Sequence, residues 1–380
     1  DCHLRVKPGT DAWLMAALIG ILVQEKMYRA AWVEQHTRGF EDILEIFSKV
    51  PVEQYLEIAG ISVEQGREAA QMIADAKGAA MHEDLGVQMN RYSTLVSYLE
   101  KVLWVLCGHF GVEGGQNVPA YIQNIAGSGN NSRKSPVVGA EIISGLVPCN
   151  VIADEILTDH PDRYRAMIVE SANPVHSLAD TKRFTEALET LDCVVVIDIA
   201  MTETARQADY ILPAATQYEK WEATFFNFEF PHNYFHLRKP LFDAPAGVLT
   251  EPEIHARLAE AMGVMPMELC EELVAILADQ GRDAYRDRFF QALGEDGSLA
   301  NLAPVILYRT LGPSLPEGAA SAALLWPLAI GYAARESESL ARAGYTGSPM
   351  EQGDALFDAI LAQHSGLIFS SDETEDSWKR

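Results

Sequence analysis

Apolar residues recur at helical spacing through roughly the first 115 residues. The spacing of three and four residues places them on one side of a helix that begins near Thr10 and Asp11, after the turn signal Pro8-Gly9. The apolar positions of this helix are Leu14, Leu18, Ile19, Leu22 and Val23. Ser62 and Gln65 form a capping box that predicts a second helix over 63–76. The pattern predicts a further helix over 92–107 and a short strand over 79–81.

The pattern changes at about residue 139, where short unbroken apolar runs alternate with amphipathic segments. Strands are predicted over 166–169, 192–199 and 210–212. Helices are predicted over 151–157, 177–191, 202–208 and 252–262. Buried strands separated by helices indicate a parallel sheet that is covered on both faces.

The distribution of loop-forming residues along the chain predicts its domain organisation. A stretch rich in Gly, Asn and Ser marks residues 116–138 as a crossover loop between an α/β segment at 1–115 and another at 139–265. Residues 266–380 are predicted to be mainly helical, with a frayed acidic end over 370–380. The role of this helical extension is not indicated by its sequence.

Charge and composition narrow the classes of function. The chain of 380 residues has 48% hydrophobic residues and a formal net charge of -25, so it predicts a soluble protein that repels nucleic acid and anionic membranes. The longest apolar stretch, 12–23, is too short to insert into a membrane. Five widely spaced cysteines and no visible signal peptide favour a reducing, cytoplasmic location. The absence of an initial Met suggests a piece of a longer polypeptide.

Three short segments place polar groups where an α/β protein binds ligands. Asp198 ends a predicted buried strand, and Asn173-Pro174-Val175 follows the preceding strand at the equivalent position. Ligands of open α/β sheets bind outside the carboxyl ends of the strands. Gly9, Thr10 and Asp11 begin a helix, whose free N–H groups attract anions. A helix cap, an ordinary Asn-Pro turn and loop solvation remain as alternatives.

Two further patterns are only weak signals of a metal site or a dinucleotide-binding site. His232 and His236 have the spacing of a helical metal site, but Pro231 interrupts the segment and no third ligand is adjacent, so no metal site is predicted. The Gly127-x-Gly129 pattern lacks a preceding strand, which makes it a weak dinucleotide signal.

Taken in order, four stretches resemble the molybdopterin oxidoreductase family, which includes formate dehydrogenases, nitrate reductases and dimethyl sulfoxide reductases. They are 3–11 (HLRVKPGTD) continued by 28–43 (YRAAWVEQHTRGFEDI), 85–90 (LGVQMN) with 106–115 (LCGHFGVEGG), 173–175 (NPV), and 195–220 (VVIDIAMTETARQADYILPAATQYEK). The last stretch is long and specific. The resemblance covers about residues 1–265.

The resemblance implies a bis-(molybdopterin guanine dinucleotide) cofactor that carries molybdenum or tungsten, held between two partial doubly wound, Rossmann-like parallel-sheet domains. It implies cofactor contacts at ten positions: Gly9, Thr10, Asp11, Leu85, Met89, Asn173, Ile197, Asp198, Lys220 and Glu251. Asp11 would accept from the guanine edge, Leu85 and Met89 would line the pterin, and Lys220 would lie near phosphate or ribose. The parent protein would act on a small-molecule substrate and exchange electrons with a redox partner.

The chain also departs from the family pattern. Met89-Asn90 replaces the family's Gln-His pair, and only part of a family segment survives over 222–230. The residue that binds the metal and any iron–sulfur cysteines would belong to a missing amino-terminal part, so no catalytic residue is predicted here. Two alternatives therefore remain, a non-catalytic scaffold subunit of the same ancestry and an unrelated nucleotide-binding α/β protein.

Overall fold

The chain divides into two compact units in the computed structural model, which describes residues 2–122, 133–224 and 229–380. The first unit consists of Asp1–Ala120 with Asp372–Arg380, and the second of Tyr121–Ser371. Each unit is described separately below.

The first unit is built around one largely buried helix. Its helices are α1 (Asp11–Gln24), α2 (Ala30–His36), α3 (Phe40–Ser48), α4 (Val52–Ala59), α5 (Val63–Asp75), α6 (Leu85–Gln88) and α7 (Ser93–Leu106). Helix α1 is apolar along almost its whole length, and α3, α4, α5 and α7 pack around it. A helix that is apolar on all sides must be buried in this way. Ile19 and Leu22 of α1 have no exposed surface.

The helix boundaries predicted in this unit are largely confirmed, including the capping box. The Ser62 hydroxyl accepts from the Gln65 backbone N–H at 3.2 Å, and the Gln65 side chain accepts from the Ser62 N–H at 3.3 Å. The strand predicted over 79–81 is wrong. The carbonyl of Met81 accepts from the Gln116 side chain at 2.7 Å, so a side chain satisfies this group where a neighbouring strand was expected.

The carboxyl-terminal segment forms ordered structure, and the frayed end predicted over 370–380 is wrong. Helix α17 (Thr374–Lys379) packs in the first unit, where the Trp378 ring lies against Trp32 at 6.0 Å and Phe110 at 4.7 Å between ring centroids. The Arg380 guanidinium donates to both oxygens of Asp372 at 2.8 Å. Ring packing and this bidentate pair hold a segment whose composition alone suggested solvation.

The second unit contains the predicted parallel sheet, which confirms the α/β class. Its strands are β1 (Ala166–Glu170), β2 (Cys193–Asp198) and β3 (Tyr210–Pro213), in the spatial order β1-β2-β3. The register pairs Glu170 with Ile197 and Asp198 with Pro213. All three strands therefore end at the same edge of the sheet.

Helices cover the two faces of this sheet, as a doubly wound arrangement requires. On one face, Val194 and Val196 pack against Phe184 of α10 (Thr181–Thr190), together with α8 (Ile152–Ile156) and α9 (Pro174–Ser177). On the other face, Ile197 packs against Ile254 of α11 (Glu251–Ala261). Side chains alternate between these faces along β2, which explains its unbroken apolar sequence.

The rest of the second unit is mainly helical, as predicted. Its elements are α12 (Met267–Gln280), α13 (Arg282–Glu295), α14 (Ala303–Thr310), α15 (Leu325–Arg342) and α16 (Pro349–Ala362), with strands β4 (Glu222–Thr224), β5 (His232–Arg238) and β6 (Leu367–Ser371). The three strands form an antiparallel sheet in the order β4-β5-β6. Arg309 of α14 donates to Glu253 at 2.7 Å and Glu260 at 2.6 Å, which ties the helical extension to α11.

None of the helices in the described ranges is both long and apolar enough to cross a membrane.

The packing beneath the parallel sheet makes a testable stability prediction. Replacing the buried Phe184 (2% exposed) by alanine should lower the free energy of unfolding by about 3–5 kcal/mol, because it leaves a cavity under β2. The same replacement at the exposed Phe242 (66%) should change it by less than about 0.5 kcal/mol. Denaturant unfolding of both variants measures the difference, and equal effects would contradict the assigned core.

Thiol burial predicts which cysteines react. Burial raises the pKa of the Cys107 thiol to about 11, so this group stays protonated at pH 8, whereas Cys149 is exposed. Alkylation of the native protein at pH 8 should label Cys149 and leave Cys107 unmodified, as read by peptide mass spectrometry. Rapid labelling of Cys107 in the folded protein would show that it is not a core residue.

Candidate functional site

At the carboxyl edge of the parallel sheet, one predicted residue ends a strand and another lies in the loop after the neighbouring strand. Asp198 is the last residue of β2, and the loop after β1 leads through Ser171 to Asn173. The Ser171 N–H donates to the Ile197 carbonyl at 3.1 Å, and the Ala214 N–H donates to the Asp198 carbonyl at 3.1 Å. The ladder thus continues past the strands and fixes where both loops leave the sheet.

The carboxylate of Asp198 is oriented by its own loop. Its Oδ1 accepts from the backbone N–H of Ile199 at 2.7 Å and of Ala200 at 3.3 Å. In the described part of the chain, Oδ2 has no hydrogen-bond partner, and the residue is half-buried. Asp198 therefore presents one oriented acceptor oxygen, which suits the N–H edge of a base or a ribose hydroxyl.

The carboxamide of Asn173 lies within a hydrogen-bond network that sequence reasoning did not identify. Its Nδ2 donates to the Glu203 carboxylate at 2.6 Å, and its Oδ1 accepts from the Thr204 N–H at 3.2 Å and hydroxyl at 2.7 Å. The hydrogen bond from Asn173 is the largest contribution that lowers the pKa of Glu203 below its usual range. Glu203 and Thr204 lie within the quoted stretch 195–220, but no periodicity indicates that they reach Asn173.

Ile197 lies in the core, unlike its neighbour at the strand end. Its side chain has no exposed surface and packs with Ala214 and Ile254. Any contact with a ligand would therefore involve its main-chain atoms, and its predicted role remains a prediction.

Lys220 and Glu251 bind each other. The Lys220 ammonium donates to both carboxylate oxygens of Glu251 at 2.5 and 2.7 Å and lies 3.6 Å from Glu222. The side chains of Lys220 and Glu251 are only 15% and 14% exposed. A phosphate near Lys220 would have to compete with or share this pair, because the ammonium is already neutralised.

Lys220 and Glu251 line a cleft of about 850 Å³ in the second unit. Glu251 and His255 are four residues apart on α11 and share its cleft-facing side, where His255 bonds Glu170 at 2.6 Å. Leu258 and Met262 continue the same side towards the end of the helix. The cleft is therefore polar near the start of α11 and apolar near its end.

In the first unit, the predicted residues at the start of α1 have distinct roles. Gly9 has a φ of +81°, a conformation that favours glycine. Thr10 occupies the cap position, but its hydroxyl donates to the Lys7 carbonyl at 2.6 Å and does not cap α1. The Asp11 carboxylate accepts from Asn90 Nδ2 at 2.5 Å. Asn90, noted in the sequence only as a departure from the family pattern, is thus the partner of Asp11.

Leu85 and Met89 lie on the surface of this unit. Leu85 begins α6 and is 63% exposed, while Met89 follows the helix and is 83% exposed. Their predicted role along the pterin remains a prediction. The adjacent carboxylate of Asp84 accepts from the Leu85 N–H at 2.7 Å and fixes the start of this short helix.

The histidine pair lies on a strand. His232 and His236 belong to β5, where residues four apart are separated by about 13 Å, too far for one ion. His236 bonds the His364 carbonyl at 2.7 Å. Across the three described ranges, no three His, Cys, Asp or Glu residues are grouped as a metal site would require. Gly127 and Gly129 lie outside the described residues.

This fold and edge geometry define an α/β protein with oriented polar groups at the carboxyl edge of its parallel sheet. The molybdopterin oxidoreductase family model matches residues 1–261, and the chain belongs to this family. The unrelated nucleotide-binding alternative is therefore excluded.

Known proteins that are similar to this chain include a probable oxidoreductase and a subunit of a formate dehydrogenase. A probable oxidoreductase of Bacillus subtilis, YyaE, is 26% identical over 69% of this chain and 39% of its own length. The alpha subunit of F420-dependent formate dehydrogenase 2 from Methanococcus maripaludis is 29% identical over 78% of this chain and 46% of its own. The fold is similar to acetylene hydratase from Pelobacter acetylenicus, with a TM-score of 0.58 and 22% identity over 69% of this chain and 41% of that one. The chain thus spans less than half the length of these relatives.

The Lys220–Glu251 pair makes a testable prediction. Lys220→Met should lower the free energy of unfolding by about 1–3 kcal/mol, because it leaves the mostly buried Glu251 carboxylate without its cation. Lys49→Met removes the exposed pair with Glu45 and should cost less than about 0.5 kcal/mol. Adding Glu251→Gln to Lys220→Met should recover part of the loss. Denaturant unfolding that shows equal effects at both lysines would contradict this assignment.

Proposed function

We propose that this chain is the cofactor-binding central portion of a molybdenum- or tungsten-dependent oxidoreductase, and that its cofactor is bis-(molybdopterin guanine dinucleotide). The observation that carries the proposal is a pair of oriented polar side chains, Asn173 in the loop after β1 and Asp198 at the end of β2, in a protein of this family. The carboxyl edge of such a sheet is where α/β proteins bind dinucleotides.

The polar groups of both units suit the parts of a guanine dinucleotide. A guanine edge offers N–H donors, which require acceptors such as the carboxylates of Asp11 and Asp198. Phosphate oxygens require donors, which Asn173 supplies and which the ammonium of Lys220 would supply where the phosphate shares it with Glu251. Leu85 and Met89 would provide apolar contact for the pterin. When bound, the metal and its pterins would supply the electron transfer and, in many such enzymes, the transfer of an oxygen atom.

The residues of this chain would bind and orient the cofactor, and we assign no catalytic residue among them. The substrate of the whole protein would be a small molecule, and its electrons would pass to or from a redox partner. An iron–sulfur cluster, where present, would lie outside this chain. The acidic composition and the cysteine usage support a cytoplasmic location without nucleic acid or membrane insertion.

A second candidate is a scaffold subunit of the same ancestry that has lost catalysis. The observation in its favour is the Met89-Asn90 substitution, since Asn90 donates to Asp11 within the protein. The two candidates differ in metal content, because a scaffold would be purified without molybdenum or tungsten.

Retention of the cofactor tests the proposal. In the whole protein, Asp198→Asn should lower the content of guanine dinucleotide and metal about tenfold or more, because a donor replaces the free acceptor oxygen. Asp192→Asn is the matched control, because Asp192 precedes the same strand at its opposite end and pairs on the surface with Arg165. Metal analysis and nucleotide release after acid treatment measure both. Full retention in Asp198→Asn and in Asp11→Ala would contradict the proposed site.

A further inference from the structure

The hydrogen bonds around Asn173 account for almost all the capacity of its side chain. A carboxamide has one oxygen with two acceptor positions and one nitrogen with two hydrogens. Both acceptor positions of Oδ1 are occupied by Thr204, and one hydrogen of Nδ2 is donated to Glu203. Within the described residues, the second hydrogen of Nδ2 has no partner.

The orientation of this carboxamide is dictated by its neighbours. The Thr204 backbone N–H can only donate, so the atom that meets it must be the oxygen. The ionised Glu203 carboxylate can only accept, so the atom that meets it must be the nitrogen. The Thr204 hydroxyl accepts from the Val175 N–H at 3.1 Å, which leaves its own hydrogen for Asn173 Oδ1. A flipped carboxamide would break the contacts with the Thr204 N–H and with the Glu203 carboxylate.

We infer that Asn173 selects its ligand by acting only as a hydrogen-bond donor. Thr204 and Glu203 are positioning residues, because they hold the carboxamide of Asn173 in the orientation that donates. The ligand group that meets Asn173 must therefore be an acceptor, either a phosphate oxygen or an acceptor of the guanosine moiety. Thr204 has no exposed surface, so its hydroxyl is not available to the ligand and serves the neighbouring loop. This inference rests on the proposed function, because it takes the cofactor nucleotide as the ligand.

Nucleotide binding to the whole protein, prepared without its cofactor, tests this inference. The probes are guanosine diphosphate and guanosine, measured by isothermal titration calorimetry. Asn173→Asp replaces the donor by a carboxylate and should weaken binding of the diphosphate by about 10- to 100-fold. Thr204→Val removes the hydroxyl at nearly constant volume and should weaken it by about tenfold. Thr204→Ser keeps the hydroxyl and should bind within about twofold of the wild type.

The two probes locate the acceptor. A loss confined to the diphosphate places the Asn173 donor at a phosphate, and a loss for both probes places it at the guanosine; either result supports the inference. Thermal unfolding of each variant identifies a general loss of structure. If Thr204→Val fails to fold, Asn173→Asp still decides the donor role, and weakened binding in a folded Thr204→Ser would still overturn the positioning role of the hydroxyl.

The outcomes also separate the inference from the proposed function. Wild-type affinity for both probes in Asn173→Asp and Thr204→Val would overturn the donor role and leave the proposed site standing. Weakened binding in Thr204→Ser equal to that in Thr204→Val would overturn the positioning role of the hydroxyl. A wild-type protein that binds neither probe would overturn the proposed function and the inference together.

Discussion

The parallel register of β1, β2 and β3 is the constraint on which the second unit depends. Because the three strands run in one direction, their carboxyl ends share an edge, and the loops after β1 and β2 leave the sheet side by side. The two loops are then joined by polar contacts, with Asn173 bound to Glu203 and Thr204. A shift of one residue in the register would exchange the faces of the β2 side chains and displace Asp198 by about 3.3 Å relative to the ends of the neighbouring strands.

The carboxylates on α11 are paired with cations at close range, and those of Glu251 and Glu253 are mostly buried. Lys220 with Glu251, and Arg309 with Glu253 and Glu260, place cations of the chain against carboxylates of α11. Such pairs contribute little net stability once desolvation is counted, but removal of one partner leaves a costly charge. The pairs on α11 therefore fix how this helix sits between the parallel sheet and the helical extension, and so shape the cleft beside it.

Sequence patterns correctly predicted the elements whose hydrogen bonds or apolar positions are complete within a few residues of chain. The Ser62–Gln65 capping box is complete within one turn, and β2 is a continuous apolar run bounded by Asp192 and Asp198. The strand predicted at 79–81 failed because its carbonyl at Met81 found a distant side chain, Gln116. The order of residues 370–380 also depends on distant partners, since Trp378 packs against Trp32. Local composition contains no information about such partners.

The sequence by itself determined the alternation of helix and strand after residue 139, the placement of Asn173 just after one strand and of Asp198 at the end of the next, and the family. These follow from periodicity and from motifs that lie within short stretches of chain. Only the tertiary structure decided which atoms these side chains offer to a ligand. Asn90 engages Asp11, Thr204 and Glu203 fix Asn173, and Glu251 neutralises Lys220. Hydrogen bonds and ion pairs join residues that are far apart in sequence, so their partners are set by packing and not by spacing along the chain.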